Sequence, residues 1–164
     1  MAERKVDFVS ILRTLVEHGA EFIVVGGVAG VLNGAPLITW DLDVVHSRTA
    51  DNVDKLSSAL AALGARSRMH GDVIVKPDRS HLSSPGHQLL ITPSGPLDLL
   101  GTIGKGRGYE ELLPRTTLVQ IAPGLAVRVL DLETLIEVKE ETGGEKDKIV
   151  LPILRATLAE RRRA

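Results

Sequence analysis

Residues 22–46, FIVVGGVAGVLNGAPLITWDLDVVH, limit what this chain can fold into more than any other stretch. Phe22 to Val25 is an unbroken apolar run with three β-branched residues, the composition of a buried strand. Gly26-Gly27 predicts a turn, Val28 to Leu32 a short helix, and Thr39 to Val45 a second strand. Side chains alternate across a strand, so Thr39, Asp41 and Asp43 fall on one face, while Trp40, Leu42 and Val44 fall on the other, in the core. Carboxylates at that spacing lie about 6.5–7 Å apart at the backbone, close enough to converge on shared cations. A strand apolar on one face and anionic on the other suits divalent metal better than it suits stability.

The remaining elements follow from periodicity. Residues 5 to 18 predict an amphipathic helix with Val9, Leu12, Leu15 and Val16 on one stripe, stopped by Gly19. Ser47 or Thr49 caps a helix over about 50–63, with Val53, Leu56, Leu60 and Leu63 facing inward and Gly64 ending it. Asp72 to Lys76, Gln88 to Thr92 and Leu97 to Leu100 are expected strands, punctuated by Pro77, Pro85-Gly86 and Pro93. GTIGKGRG at 101–108 is expected as a mobile loop. A hairpin of 115–121 and 125–129 turns at Pro123-Gly124. Asp131 caps a helix to about 141, Gly143-Gly144 breaks the chain, and the last helix is expected to be interrupted at Pro152. The closing RRRA is expected as a solvated basic tail. The expectation is a mixed α/β (α+β) architecture, a small twisted mixed sheet flanked by helices. It forms one domain over 1–164, with 131–164 a short C-terminal helical part.

Composition excludes several classes. Net charge is −1, so an anionic substrate must be met by local cations or metal. There is no cysteine, which removes disulfides, thiolate zinc sites and cysteine nucleophiles together. Two Phe, one Trp and one Tyr argue against an RNA platform built on base stacking. No signal peptide and no apolar run of about 18 residues is visible, so no membrane partner and a cytoplasmic location are expected. The five histidines show no metal-ligand spacing, and Ser83, Ser84 and Ser94 lack hydrolase partners in sequence.

Asp41-x-Asp43 with Val45 also satisfies D-x-D-x-[TV] of phosphatases with an aspartyl nucleophile. In that family, however, the pair opens the fold and a second acidic pair follows, which is not the case here. The whole arrangement (apolar strand, Gly26-Gly27, small helix, Thr39-x-Asp41-x-Asp43) resembles the DNA polymerase β-like nucleotidyltransferase superfamily. More closely, it is similar to the compact bacterial branch that holds AbiEii-type and MenT-type toxins. Within that resemblance Asp98 in LDLLG is the third carboxylate, its residue-level alternative being a turn aspartate after Gly95-Pro96. Lys139 and the Lys146-Asp147 step match the branch's helical lysine and K-D step. By spacing alone Lys139 sits on the stripe of Leu132, Leu135 and Ile136, where it either meets an anion or extends its head to water. Two positions depart from the pattern: Leu37 and Gly144 stand where relatives carry Arg.

The resemblance implies an NTP-dependent, two-metal nucleotidyltransferase. Asp41, Asp43 and Asp98 would hold two Mg²⁺; Gly26, Gly27, Thr39 and Lys139 would bind the nucleotide (an NTP such as ATP); Asp147 would orient Lys139 or the acceptor. The acceptor implied is the tRNA 3′ end, in a toxin with a cognate antitoxin. Two other classes stay open: a catalytically idle binding partner, and a small-molecule (antibiotic-type) nucleotidyltransferase. Lys105 and Arg107 in the glycine loop are further candidates for phosphate contact.

Overall fold

The computed structural model describes residues 6–163; Lys5, the expected start of the first helix, and Ala164, the end of the expected tail, lie outside them. Helix α1 (Phe8–Glu17) begins where the Asp7 side chain accepts the Ser10 N–H and buries Ile11, Leu12 and Leu15. Strand β1 (Phe22–Val25) is buried along its whole length. Helix α2 starts on the glycine pair itself (Gly26–Leu32), so the expected turn is already helical.

Strand β2 spans Leu42–His46, three residues later than expected at its start. Thr39, Trp40 and Asp41 are therefore outside the ladder, and strand parity does not govern them. Trp40 is 68% exposed rather than in the core. Helix α3 (Ala50–Leu63) takes its cap from Thr49, whose side chain accepts the Asn52 N–H, and ends at Gly64 in a left-handed conformation. Its expected stripe is buried.

The segment 72–76 does not form a strand. The edge beside it is taken by β3 (Arg66–Ser67), whose Ser67 N–H reaches the Val75 carbonyl at 2.7 Å, leaving Val73 and Ile74 exposed. Helix α4 (Arg79–Ser83) was not foreseen; Asp78 and His81 close a reciprocal capping box that starts it. Strands β4 (His87–Thr92) and β5 (Gly95–Leu100) follow, then α5 (Tyr109–Leu112) with a 3₁₀ turn over Leu113–Arg115. The hairpin is β6 (Thr116–Ala122) and β7 (Leu125–Leu130), and Asp131 caps α6 (Leu132–Thr142). Helix α7 (Glu145–Arg163) runs through Pro152 without interruption. Proline there frees the Lys148 carbonyl, and Lys148 is exposed, so water can take that bond. The basic end is helical and bonded: Arg161 donates to Asn33 Oδ1 at 3.1 Å, and Arg162 and Arg163 meet Glu133 and Glu160.

The seven strands form one mixed sheet in the order β3-β4-β5-β2-β1-β7-β6. At its centre β1 runs antiparallel to β2 and parallel to β7, while β2 runs parallel to β5. Helix α1 packs on α3; α2 packs on α6, and α6 on α7. This is the expected mixed architecture of a sheet flanked by helices. None of the helices among the described residues is long and apolar enough to cross a membrane.

His46, fully buried at the end of β2, donates from Nε2 to the Leu82 carbonyl at 2.8 Å, and its Nδ1 has no partner. Burial, helped by the charge of Arg48, holds this imidazole below its ordinary value against the opposing Leu82 bond. The folded chain thus binds fewer protons here than the unfolded chain. The His46 contribution to stability is therefore flat above about pH 6.5 and falls as the pH drops below that value. Melting curves at pH 7.5 and 5.5 should show a smaller acid loss for His46→Gln than for the parent chain; equal losses would refute the assignment.

Candidate active site

Strands β2 and β5 are parallel neighbours, and their register pairs Asp43 with Asp98. Residues paired across adjacent strands point to the same face, so two carboxylates from distant parts of the chain stand side by side. Their flanking residues Leu42, Val44, Leu97 and Leu99 are fully buried, which fixes the register and leaves the acids no alternative orientation. Asp98 is 7% exposed. Burial first, then the charge and hydrogen bonding of Asp98, and more weakly the charge of Asp41, push the Asp43 carboxyl up to about 7; Lys139 opposes this. Asp43 Oδ1 is buried and has no hydrogen-bond partner.

The glycine pair backs this arrangement. Gly26 has φ +63°, and a Cβ there would lie 2.5 Å from Asp43 Oδ2. A Cβ on Gly27 would lie 2.9 Å from Thr39 Cβ and Oγ1. Each glycine therefore makes room for one candidate residue. The Thr39 hydroxyl donates to the Asp41 carbonyl at 3.1 Å, which fixes the corner before β2 and occupies the proton expected to meet phosphate.

Lys139, one turn beyond Leu135 on α6, meets Asp147 of α7 at 3.3 Å. Asp147 also accepts from Thr142 Oγ1 at 3.0 Å and from the Gly144 N–H at 3.1 Å. Lys139 thus meets an anion, the first of its two expected fates. Gly26, Asp43, Lys139 and Asp147 line one cavity of about 180 Å³, walled by Ile103, Leu135 and Val138. A larger groove of about 470 Å³ between Pro36 and the Pro152 region of α7 is lined mostly by apolar atoms and lies away from the carboxylates. Chemistry, and not volume, makes the smaller cavity the candidate site.

Asp41, Lys105 and Arg107 do not line this cavity. Asp41 precedes β2 and reaches Asp43 and Arg68 through its charge, and among the described residues no three acidic or histidine side chains gather as a ready metal group. The 101–108 segment is a pinned turn: Ile103 and Arg107 exchange backbone hydrogen bonds of 2.9 and 2.8 Å. Arg107 is held by Glu137 at 3.3 Å and Glu141 at 2.9 Å, so it is committed to α6; Lys105 remains exposed.

One residue was missed altogether. Arg68, just after β3, closes a two-pronged ion pair on Asp98, Nη1 to Oδ1 and Nη2 to Oδ2, the latter at 3.2 Å. Its Nη1 also donates to the Leu90 carbonyl at 3.0 Å, and its backbone N–H to the Leu89 carbonyl at 3.0 Å. No local spacing signals this contact, because the partners lie 30 residues apart. The residues fit a divalent cation nonetheless: the buried Asp43 Oδ1 is a hard-oxygen donor with no partner, beside a second carboxylate.

No family model matches the chain, and no curated protein matches it. Solved structures do. The lincosamide antibiotic adenylyltransferase LnuA, bound to lincomycin, is 15% identical, with a TM-score of 0.62 over 93% of this chain and 99% of that one. The fold is that of nucleotidyltransferases. A candidate nucleotidyltransferase from Thermotoga maritima has 16% identity and a TM-score of 0.59, covering 93% of this chain and 91% of its own. ANT(2")-Ia in complex with adenylyl-2"-tobramycin has 16% identity and a TM-score of 0.58, over 94% and 89%. At these identities the nucleotidyltransferase fold is what the likeness shows, and residue roles rest on the geometry above.

Proposed function

We propose that this chain is a metal-dependent nucleotidyltransferase that moves NMP from an NTP to a hydroxyl acceptor. The observation that carries the reading is the in-register Asp43–Asp98 pair, backed by Gly26, with a buried Asp43 oxygen lacking any partner. Asp43, beside the Arg68-held Asp98 and with Asp41 at the rim, would hold Mg²⁺, which neutralises phosphate charge and polarises the reacting oxygens. The acceptor oxygen bonds to the α-phosphorus, the bond to the β-phosphate oxygen breaks, pyrophosphate leaves, and the acceptor proton passes to solvent water. Gly26 and Gly27 let the backbone approach the triphosphate closely. Lys139 is aimed at the cavity by Asp147 and would pair with a phosphate when the nucleotide arrives. Lys139→Met should therefore raise the KM for NTP by roughly 10- to 100-fold, the loss of one charge-assisted contact, with a smaller change in kcat. Steady-state kinetics over NTP concentration check this.

The resemblance in sequence favours the tRNA 3′ end as acceptor, in a toxin with an antitoxin partner. A second acceptor class has its own support. LnuA is matched over 99% of its chain, so a protein of this extent accommodates a small-molecule substrate without a large added helical domain. Labelled NTPs with Mg²⁺ should be offered total RNA in one reaction and aminoglycoside and lincosamide alcohols in another. Label on RNA supports the first acceptor and label on a drug the second. No transfer from any of the four NTPs to either would leave the idle binding partner, which Leu37 and Gly144 already suggest.

A further inference from the structure

The family resemblance implies two cations among three carboxylates, yet the two acids that meet are not alike. Both oxygens of Asp98 are taken by the Arg68 fork. Arg68 is itself fixed to β4 through the Leu89 and Leu90 carbonyls, so its charge belongs to the sheet and is not carried by a free side chain. Asp98 is nearly inaccessible, and withdrawing the arginine would strand a buried charge. Asp43 differs: its Oδ1 is buried and unpartnered, and the nearby Lys139 bonds to Asp147 and not to it.

We propose that Arg68 is a built-in monocation that holds Asp98 permanently, so that the carboxylate cluster takes up one divalent cation, on the Asp43 side, and not two. The inference rests on the nucleotidyltransferase reading and sharpens it. Arg68 acts through Asp98 and is a positioning residue: it supplies positive charge beside the reacting phosphate where a second cation would sit. Arginine suits this place because its planar fork satisfies both carboxylate oxygens and it does not lose its proton.

The test counts bound cations. Mn²⁺ is titrated into the full chain with a non-hydrolysable NTP analogue, and free Mn²⁺ is read by its paramagnetic resonance signal. The parent chain with the analogue should bind one Mn²⁺ in total, the nucleotide's own cation included, and Asp43→Asn should lose it. Arg68→Gln should gain a second binding event at least tenfold tighter than any second event in the parent; Arg68→Lys, which keeps the charge, should stay at one. A purely structural arginine would change melting behaviour but would not add a cation. Two tightly bound Mn²⁺ in the parent, or an Arg68→Gln chain that folds and still binds one, overturns the proposal. Should Arg68→Gln fail to fold, the counts for the parent and for Arg68→Lys decide it, two cations in either overturning it. If no chain binds Mn²⁺ or the analogue, the nucleotidyltransferase reading fails first and this inference falls with it.

Discussion

Asp43→Asn is expected to lower nucleotidyl transfer by about 10³-fold and, in metal-free buffer, to make the protein more stable. A metal contact worth several kcal/mol to the transition state corresponds to that factor, at about 1.36 kcal/mol per tenfold. The stability gain has a separate cause. Burial and the neighbouring Asp98 raise the folded carboxyl to about 7 from its ordinary 3.8. The folded chain therefore binds more protons than the unfolded one between those values, so stability falls as the pH rises through that window and the deficit is complete above about 7. Asparagine removes the charge and with it most of the deficit. A gain of roughly 2 kcal/mol is expected at pH 8, or about 4–8 °C in melting temperature for a chain of this size. Mg²⁺ should raise the melting temperature of the parent and leave that of the variant unchanged. A variant that keeps its activity, or that melts lower than the parent without metal, would refute the assigned role of Asp43.

Gly26→Ala should damage fold and activity together. The residue sits at φ +63°, where a Cβ costs about 1–2 kcal/mol, and that Cβ would press on Asp43 Oδ2 at 2.5 Å. Loss of roughly 2–3 kcal/mol of stability is expected, with transfer down about 10²-fold because a shift of Asp43 by an ångström misaligns the donor set. Gly34→Ala is the matched control. Its φ is +96°, equally unfavourable, but nothing lies within 4 Å of the added carbon. It should show the conformational loss alone and keep its activity per folded molecule. If both variants lose activity alike, the close approach to Asp43 is not what matters at Gly26.

The parts of the fold that could be read in advance are those set by local chemistry. β1 and the inward stripe of α3 followed from apolar pattern, and the caps at Thr49 and Asp131 use side-chain oxygens that the sequence displays openly. The pairing of Asp43 with Asp98 was suggested by resemblance, while the register that produces it is a property of the sheet. What was hidden depends on competition or distance. Val73, Ile74 and Val75 look like a strand, but Arg66–Ser67 already holds the adjoining edge. Trp40 looks like core, but the chain has not yet entered the ladder at that point. Arg107 looks like a phosphate ligand, but α6 presents two glutamates to it. Arg68 is the clearest case, since nothing near it in sequence distinguishes it from Arg66, and only folding brings it to Asp98.

Parallel pairing of β2 with β5 makes the chemistry all-or-none. The intervening chain must leave the sheet after His46, form α3, β3 and α4, and lay down β4 before β5 can dock. No fragment that stops short of Leu100 contains both acids in position, so competence should emerge late in folding, after the long crossover closes. Sliding β5 by a single residue would swap Asp98 for a leucine and bury its charge on the far side of the sheet, so intermediate degrees of assembly are not available. Lengthening the exposed turns between His46 and Gly95 should be tolerated, provided the β2–β5 alignment survives.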